Sequence, residues 1–121
     1  NAWIVNSDDG LDEISPYAIT NVCQLKNGEI FNIIINPNEL KINTNGFDTI
    51  LGKDADYNSQ KIIDIFKGED NDFSIAVCLN AAAGLIVSEN NDNFKEAYQK
   101  TRDHILSGKV FKHLEKIQNG I

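Results

Sequence analysis

Near Asp54 the period of the apolar residues changes, and this limits what the chain can fold into more than any other feature. Before that point they lie in short stretches, Ala2 to Val5, Ile19 to Leu25 and Ile30 to Ile35, each bounded by turn-forming or charged residues. Short apolar stretches between turn signals read as strands. Beyond Asp54 they recur at three- and four-residue spacings, the pattern of one helical face. Strands therefore come first and helices last, with no internal repeat or low-complexity linker between them.

The unbroken run from Ala2 to Val5 predicts a short strand buried on both faces. In "KNGE", Asn27-Gly28 can supply the positive φ values of a two-residue hairpin turn, which places Lys26 opposite Glu29. "NPNEL" offers Asn36 as a cap and Pro37 at a first helical position, enough for one short turn. Ile62, Ile65 and Phe66 form an apolar stripe ended by Gly68, and Phe73 to Val87 is apolar nearly all round, as in a buried central helix. A third helix is marked by Phe94, Ala97, Tyr98, Thr101 and Ile105, with Asn93 and Glu96 in capping-box spacing. Val110, Phe111, Leu114 and Ile117 mark a fourth. The expected class is α/β, or α+β within this segment: a short buried strand, a β-hairpin and about four helices.

At 121 residues the chain has the length of one domain, and 41% apolar with 24% charged residues is ordinary for a globular protein. A net charge of −7 works against nucleic acid as a partner, because a polyanion is held by Lys and Arg that displace its counterions into solution. The run from Ile75 to Val87 is interrupted by Asn80 and falls short of the roughly 20 residues a membrane span needs. Cys23 and Cys78 are far apart, each in an apolar run, and read as buried free thiols of a reducing cytoplasm. The chain opens within a strand, without an initiator Met or a signal peptide. The expectation is a piece of a longer chain, residues 1–121 being part of a larger α/β domain whose further strands lie upstream.

Most catalytic patterns are missing from this sequence. His104 and His113 do not form HxxxH and read as surface histidines, glycines are never closer than six residues apart, and there is no GxSxG. The exception is the acidic stretch "NSDDGLDEIS" from Asn6 to Ser15, which follows the first strand. It is not an EF-hand loop: counted from Asn6 or from Asp8, the sixth position is Leu11 or Glu13 instead of glycine. "DADYNSQKIIDI" fails the same test at Ser59 and Ile65. What remains is an adjacent carboxylate pair, Asp12 and Glu13, in the position where ligands of α/β sheets usually bind. Spacing alone leaves two readings open, a solvated acidic turn or a site for a hard cation such as Mg²⁺ shared with substrate phosphates.

Taken in order, "DGLDEIS", a hairpin, "PNEL", "LGKDADYNSQKIIDIFKGE" and "AVCLNAAAGLIVS" resemble the last third of the anthranilate phosphoribosyltransferase family. The resemblance covers nearly all of the chain, and its most specific parts are "DGLDE" and "LNAAA". It implies transfer of the phosphoribosyl group of 5-phosphoribosyl 1-diphosphate to anthranilate in tryptophan biosynthesis, with release of pyrophosphate. It also implies that Asp12 and Glu13 hold Mg²⁺, and that the intact protein is a cytoplasmic homodimer. Asn6 and Ser7 stand where the family often has His-Gly or His-Ser, which leaves the role of that histidine unassigned here. The family's "GTGGD" loop, "KHGN"-like motif, anthranilate-binding arginine and helical dimerisation domain all lie upstream, so this segment alone is expected to be inactive. Two other readings stay open: a non-catalytic nucleic-acid-binding relative, and a nucleoside phosphorylase of related fold. "LNAAA" reads as structural, its small side chains allowing close helix approach and Asn80 bonding to backbone.

Overall fold

Asn27 and Gly28 adopt φ values of 54° and 81°, so the two-residue turn of "KNGE" joins two strands in the way its sequence dictates. The computed structural model describes residues 1–120. Strand β1 spans Ala2–Ser7, β2 Thr20–Lys26 and β3 Glu29–Ile35, forming an antiparallel sheet in the order β1-β2-β3. Lys26 pairs with Glu29, and Ser7 with Thr20. Single 3₁₀ turns follow at Pro37–Leu40, where the Asn36 side chain accepts from the Asn38 N–H as a cap, and at Phe47–Ile50.

Among the described residues four helices follow: α1 Ala55–Phe66, α2 Asp72–Val87, α3 Phe94–Leu106 and α4 Lys109–Gln118. Asp54 caps α1 through the Tyr57 N–H, and Asn93 caps α3 through the Glu96 N–H. At α2 the capping box is complete and lies where the apolar pattern gave no hint of it, with Asn71 and Ser74 each bonded to the other's backbone. The core joins the inner sheet face to α1, α2 and α3 through Ile14, Val22, Ile35, Ile65, Ile75, Leu79, Ala97 and Ile105.

Several sequence expectations are corrected by this packing. β1 is not buried on both faces: Trp3, Val5 and Ser7 turn inward, while Ile4 is 73% exposed on an outer face that also carries Ile30 and Ile34. Among the described residues no element covers that face, so the strand alternates instead of being wholly buried. β1 pairs with the hairpin directly and antiparallel along one edge. Cys23 lies on the same outer face and is exposed; only Cys78 is buried. α2 is buried along Ile75, Cys78, Leu79 and Ala82, yet Val77, Ala81 and Gly84 are exposed, so its nearly uniform apolar sequence does not mean all-round burial. In α1, Ile65 is buried but Ile62 is exposed.

Gly68 ends α1 as expected, and its geometry explains why glycine stands there. Its φ is +100°, and a Cβ would come within 2.9 Å of the Leu106 carbonyl oxygen at the end of α3. Gly68→Ala should therefore combine backbone strain with a clash against rigid backbone and cost about 2–3 kcal/mol. Chemical denaturation checks this; an unchanged midpoint would show that the α1–α3 approach relaxes at no cost.

Candidate functional site: the acidic loop after the first strand

The chain leaves the sheet at Ser7 and returns at Thr20, and these two paired residues form the floor of the acidic loop. Both are fully buried, with their hydroxyl oxygens 2.6 Å apart. Ser15, buried with them, donates its N–H to both, at 3.2 Å to Ser7 Oγ and 3.1 Å to Thr20 Oγ1. Backbone bonds close the loop: Ser7 N–H to the Leu11 carbonyl, Asp8 N–H to Ile19 and Gly10 N–H to Ser7. Gly10, at φ +93°, makes the turn. Buried polar groups need partners, and this hydroxyl cluster supplies them for one another.

The four carboxylates of the loop fall into two pairs. Asp9 is used internally: one oxygen accepts from the Leu11 N–H two residues on, and the other from the Ser15 hydroxyl. Asp8 accepts from the Asn21 side chain of β2 at 2.9 Å. Asp12 and Glu13 are exposed, and among the described residues neither side chain accepts a hydrogen bond or meets a cation. The structure thus exposes the adjacent pair to solvent and, among the described residues, leaves both groups without a partner. Two unencumbered carboxylates are hard oxygen donors of the kind Mg²⁺ takes, so the residues present fit that ion as part of a site. They are not a complete cage: among the described residues no three His, Cys, Asp or Glu side chains gather closely enough to hold a metal. Substrate phosphates and water are the usual remaining ligands of such a pair.

The loop is tied to the helices by Asn80. Its Oδ1 accepts from the Ile14 N–H at 3.0 Å, and its Nδ2 donates to the Ile14 carbonyl at 3.2 Å. Asn80 is expected from sequence to bond to backbone, but its spacing does not say which. That backbone belongs to the residue next to Glu13. The tasks of Asp8 and Asp9 also escaped the sequence reading. For Asp9 the signal was present, since an Asp two residues before an N–H in a turn is a common local bond; for Ser7, Ser15 and Thr20 it was not, because their meeting depends on strand register.

The remaining reactive side chains offer no second centre. His104 and His113 are exposed and separate, as expected. Burial pushes the Cys78 thiol up to about 11, which leaves little thiolate at neutral pH. An open groove of about 920 Å³ lies among α1, α2, α3 and α4, lined by Phe66, Val77, Leu85 and Val110, and takes no residue from the acidic loop. No helix of the described residues is long and apolar enough to cross a membrane.

A three-stranded sheet whose inner face packs on helices, with an acidic loop at the end of its first strand, is an α/β arrangement, and residues 1–111 match the family described as "Glycosyl transferase family, a/b domain". The chain belongs to that family. Among curated relatives it is 63% identical over 118 residues to anthranilate phosphoribosyltransferase of Pelagibacter ubique, covering 98% of this chain and 36% of that protein. It is 35% identical over 118 residues to the Clostridium kluyveri enzyme of the same name, covering 98% and 35%. The chain thus spans about a third of the length of the relatives it matches. The fold is shared with anthranilate phosphoribosyltransferase of Thermus thermophilus, at TM-score 0.83 and 22% identity, over 95% of this chain and 34% of that one. It is also shared with the Saccharomyces cerevisiae enzyme solved in complex with PRPP and Mg, at TM-score 0.79 and 23% identity, over 93% and 33%.

Proposed function

We propose that the chain is the C-terminal third of an anthranilate phosphoribosyltransferase and supplies the Asp12-Glu13 half of its Mg²⁺ site. The observation that carries this reading is the 63% identity to the Pelagibacter enzyme over 98% of the chain. The free state of the two carboxylates supports it, as does the Mg-bound form of the yeast relative. In the reaction the bond between the ribose anomeric carbon and the diphosphate oxygen breaks, pyrophosphate leaves with the electron pair, the anthranilate nitrogen bonds to that carbon, and that nitrogen gives up one proton to solvent. Mg²⁺, when bound, supplies compensation for the negative charge on the departing diphosphate. Asp12 and Glu13 would hold it from the protein side, while the Ser7, Ser15 and Thr20 cluster keeps the loop from collapsing. Little acid-base chemistry is needed from this segment.

The same reading makes residues 1–121 part of a larger α/β domain. The outer sheet face carrying Ile4, Ile30 and Ile34 would be covered by the rest of that domain, since large exposed apolar faces are normally interfaces. The full-length protein would be a cytoplasmic homodimer of the tryptophan pathway, and the acidic balance of the segment supports a small-molecule rather than a nucleic-acid role. The test is direct: full-length protein given 5-phosphoribosyl 1-diphosphate, anthranilate and Mg²⁺ should consume anthranilate and release pyrophosphate in equal amounts. Metal-independent phosphorolysis of a nucleoside, with anthranilate untouched, would place the protein with the phosphorylases instead.

A further inference from the structure

We infer that Asn80 is a positioning residue for the Asp12-Glu13 pair, an inference that rests on the metal-holding reading given above. The peptide unit between Glu13 and Ile14 is held from two elements at once. On one side its carbonyl, that of Glu13, accepts from Ser7 Oγ of β1 at 2.7 Å. On the other its N–H, that of Ile14, donates to Asn80 Oδ1 of α2 at 3.0 Å. The same amide group donates Nδ2 to the Ile14 carbonyl at 3.2 Å, so Asn80 binds both backbone groups of one residue as a paired strand would. A third bond, from Nδ2 to the Ala76 carbonyl one turn back at 3.0 Å, fixes the Asn80 rotamer. The Ile14 side chain is 1% exposed, which anchors the residue on its remaining side.

The two carboxylates have no side-chain restraint of their own, so their placement comes through this backbone. Groups that orient metal-holding residues commonly change metal affinity about ten- to hundredfold when removed. Asparagine suits the position because only a primary amide presents an acceptor and a donor side by side. Alanine removes both. Aspartate keeps the acceptor for the Ile14 N–H but loses the donor and sets a carboxylate against two carbonyl oxygens.

The experiment compares Asn80→Ala, Asn80→Asp, Thr101→Ala and the double variant Asp12→Asn/Glu13→Gln in the full-length protein. Thr101 is the control for general weakening: its hydroxyl bonds the Cys78 and Tyr98 carbonyls between α2 and α3 and does not touch the loop. Mg²⁺ is titrated calorimetrically in saturating pyrophosphate, and hydrogen exchange of the Ile14 amide is followed without metal. Asn80→Ala should raise the Mg²⁺ concentration at half-saturation about ten- to hundredfold and speed Ile14 exchange, with the KM for anthranilate little changed. Asn80→Asp should also raise it, although added negative charge by itself favours a cation. Thr101→Ala should lower the unfolding midpoint and leave half-saturation unchanged.

Wild-type half-saturation in both Asn80 variants, with binding lost in the carboxylate variant, overturns the positioning role while leaving the metal reading in place. An equal rise in Thr101→Ala also overturns it, because the effect is then mere destabilisation. If Asn80→Ala does not fold, Asn80→Asp decides by the same two readouts. Wild-type Mg²⁺ binding in the carboxylate variant would mean that the metal reading itself has failed.

Discussion

Replacing Asp12 by Asn and Glu13 by Gln in the full-length protein should lower transferase turnover at least about a hundredfold while leaving its folding intact. The size follows from the role proposed for the pair: the metal they would hold compensates the negative charge that grows as the diphosphate departs, and the amides have the same shape with no charge. Stability should change by no more than about 0.5 kcal/mol, because both groups are exposed and neither accepts a hydrogen bond within the described residues. Raising Mg²⁺ should recover part of the lost rate, since a weakened site can still be filled by mass action. Near-normal turnover at limiting Mg²⁺ would remove the metal role. The internal comparison is Asp9→Asn, which alters a carboxylate of the same loop that is already engaged by Leu11 and Ser15. Its effect should be on loop stability more than on Mg²⁺ dependence.

The largest effect on stability is expected at Asp72, a carboxylate with no part in the proposed chemistry. It is 3% exposed at the first position of α2 and gathers the segment that carries Asn45 and Thr49. Its oxygens accept from the Asn45 N–H at 2.7 Å, the Asn45 side-chain amide at 3.1 Å, the Thr49 hydroxyl at 2.6 Å and the Tyr17 hydroxyl at 3.0 Å. Burial pushes the carboxyl upward. The bonds from Thr49, Asn45 and Tyr17 together outweigh burial and hold it below its ordinary value. Asp72→Ala should cost about 3 kcal/mol, because it removes a buried acceptor shared by four donors. Asp72→Asn should recover part of this, since its Oδ1 can take the three bonds that converge on one carboxylate oxygen and its amide nitrogen would meet only the Asn45 side-chain amide.

The depressed value also fixes the sign of the pH dependence. A carboxyl held below its unfolded value contributes fully at pH values above the ordinary carboxylate range, and the contribution is lost as pH falls through the native value. Unfolding midpoints followed from neutral pH into acid should therefore fall for the wild type, and fall less steeply for Asp72→Asn. Parallel curves for the two proteins would show that Asp72 is not a source of the acid limb.

Local rules settled much of this molecule. The hairpin at Asn27-Gly28 follows from two residues that tolerate positive φ between β-forming runs, and the four helices follow from apolar spacing and caps. The acidic loop was also legible, as was the adjacent pair Asp12 and Glu13 within it, while the role proposed for that pair came from resemblance. Burial was less legible, because it depends on what lies across from a residue. Ala2 to Val5 reads as wholly apolar, but whether both of its faces are covered is decided by other parts of the chain, and Ile4 is open. The same holds for α2, whose sequence is apolar on sides that the described residues leave exposed.

The loop divides between sequence and structure in the same way. Sequence determined that four carboxylates would gather around Gly10, since they are neighbours in the chain. Only the tertiary structure decided which were spent: Asp8 on Asn21 of the adjacent strand, Asp9 on Ser15, and Asp12 and Glu13 on nothing. It likewise decided that Asn80, distant in sequence, would grip the peptide next to Glu13. Hydrogen bonds between distant segments depend on register and helix placement, which no local spacing encodes, whereas a turn is specified by the few residues that form it.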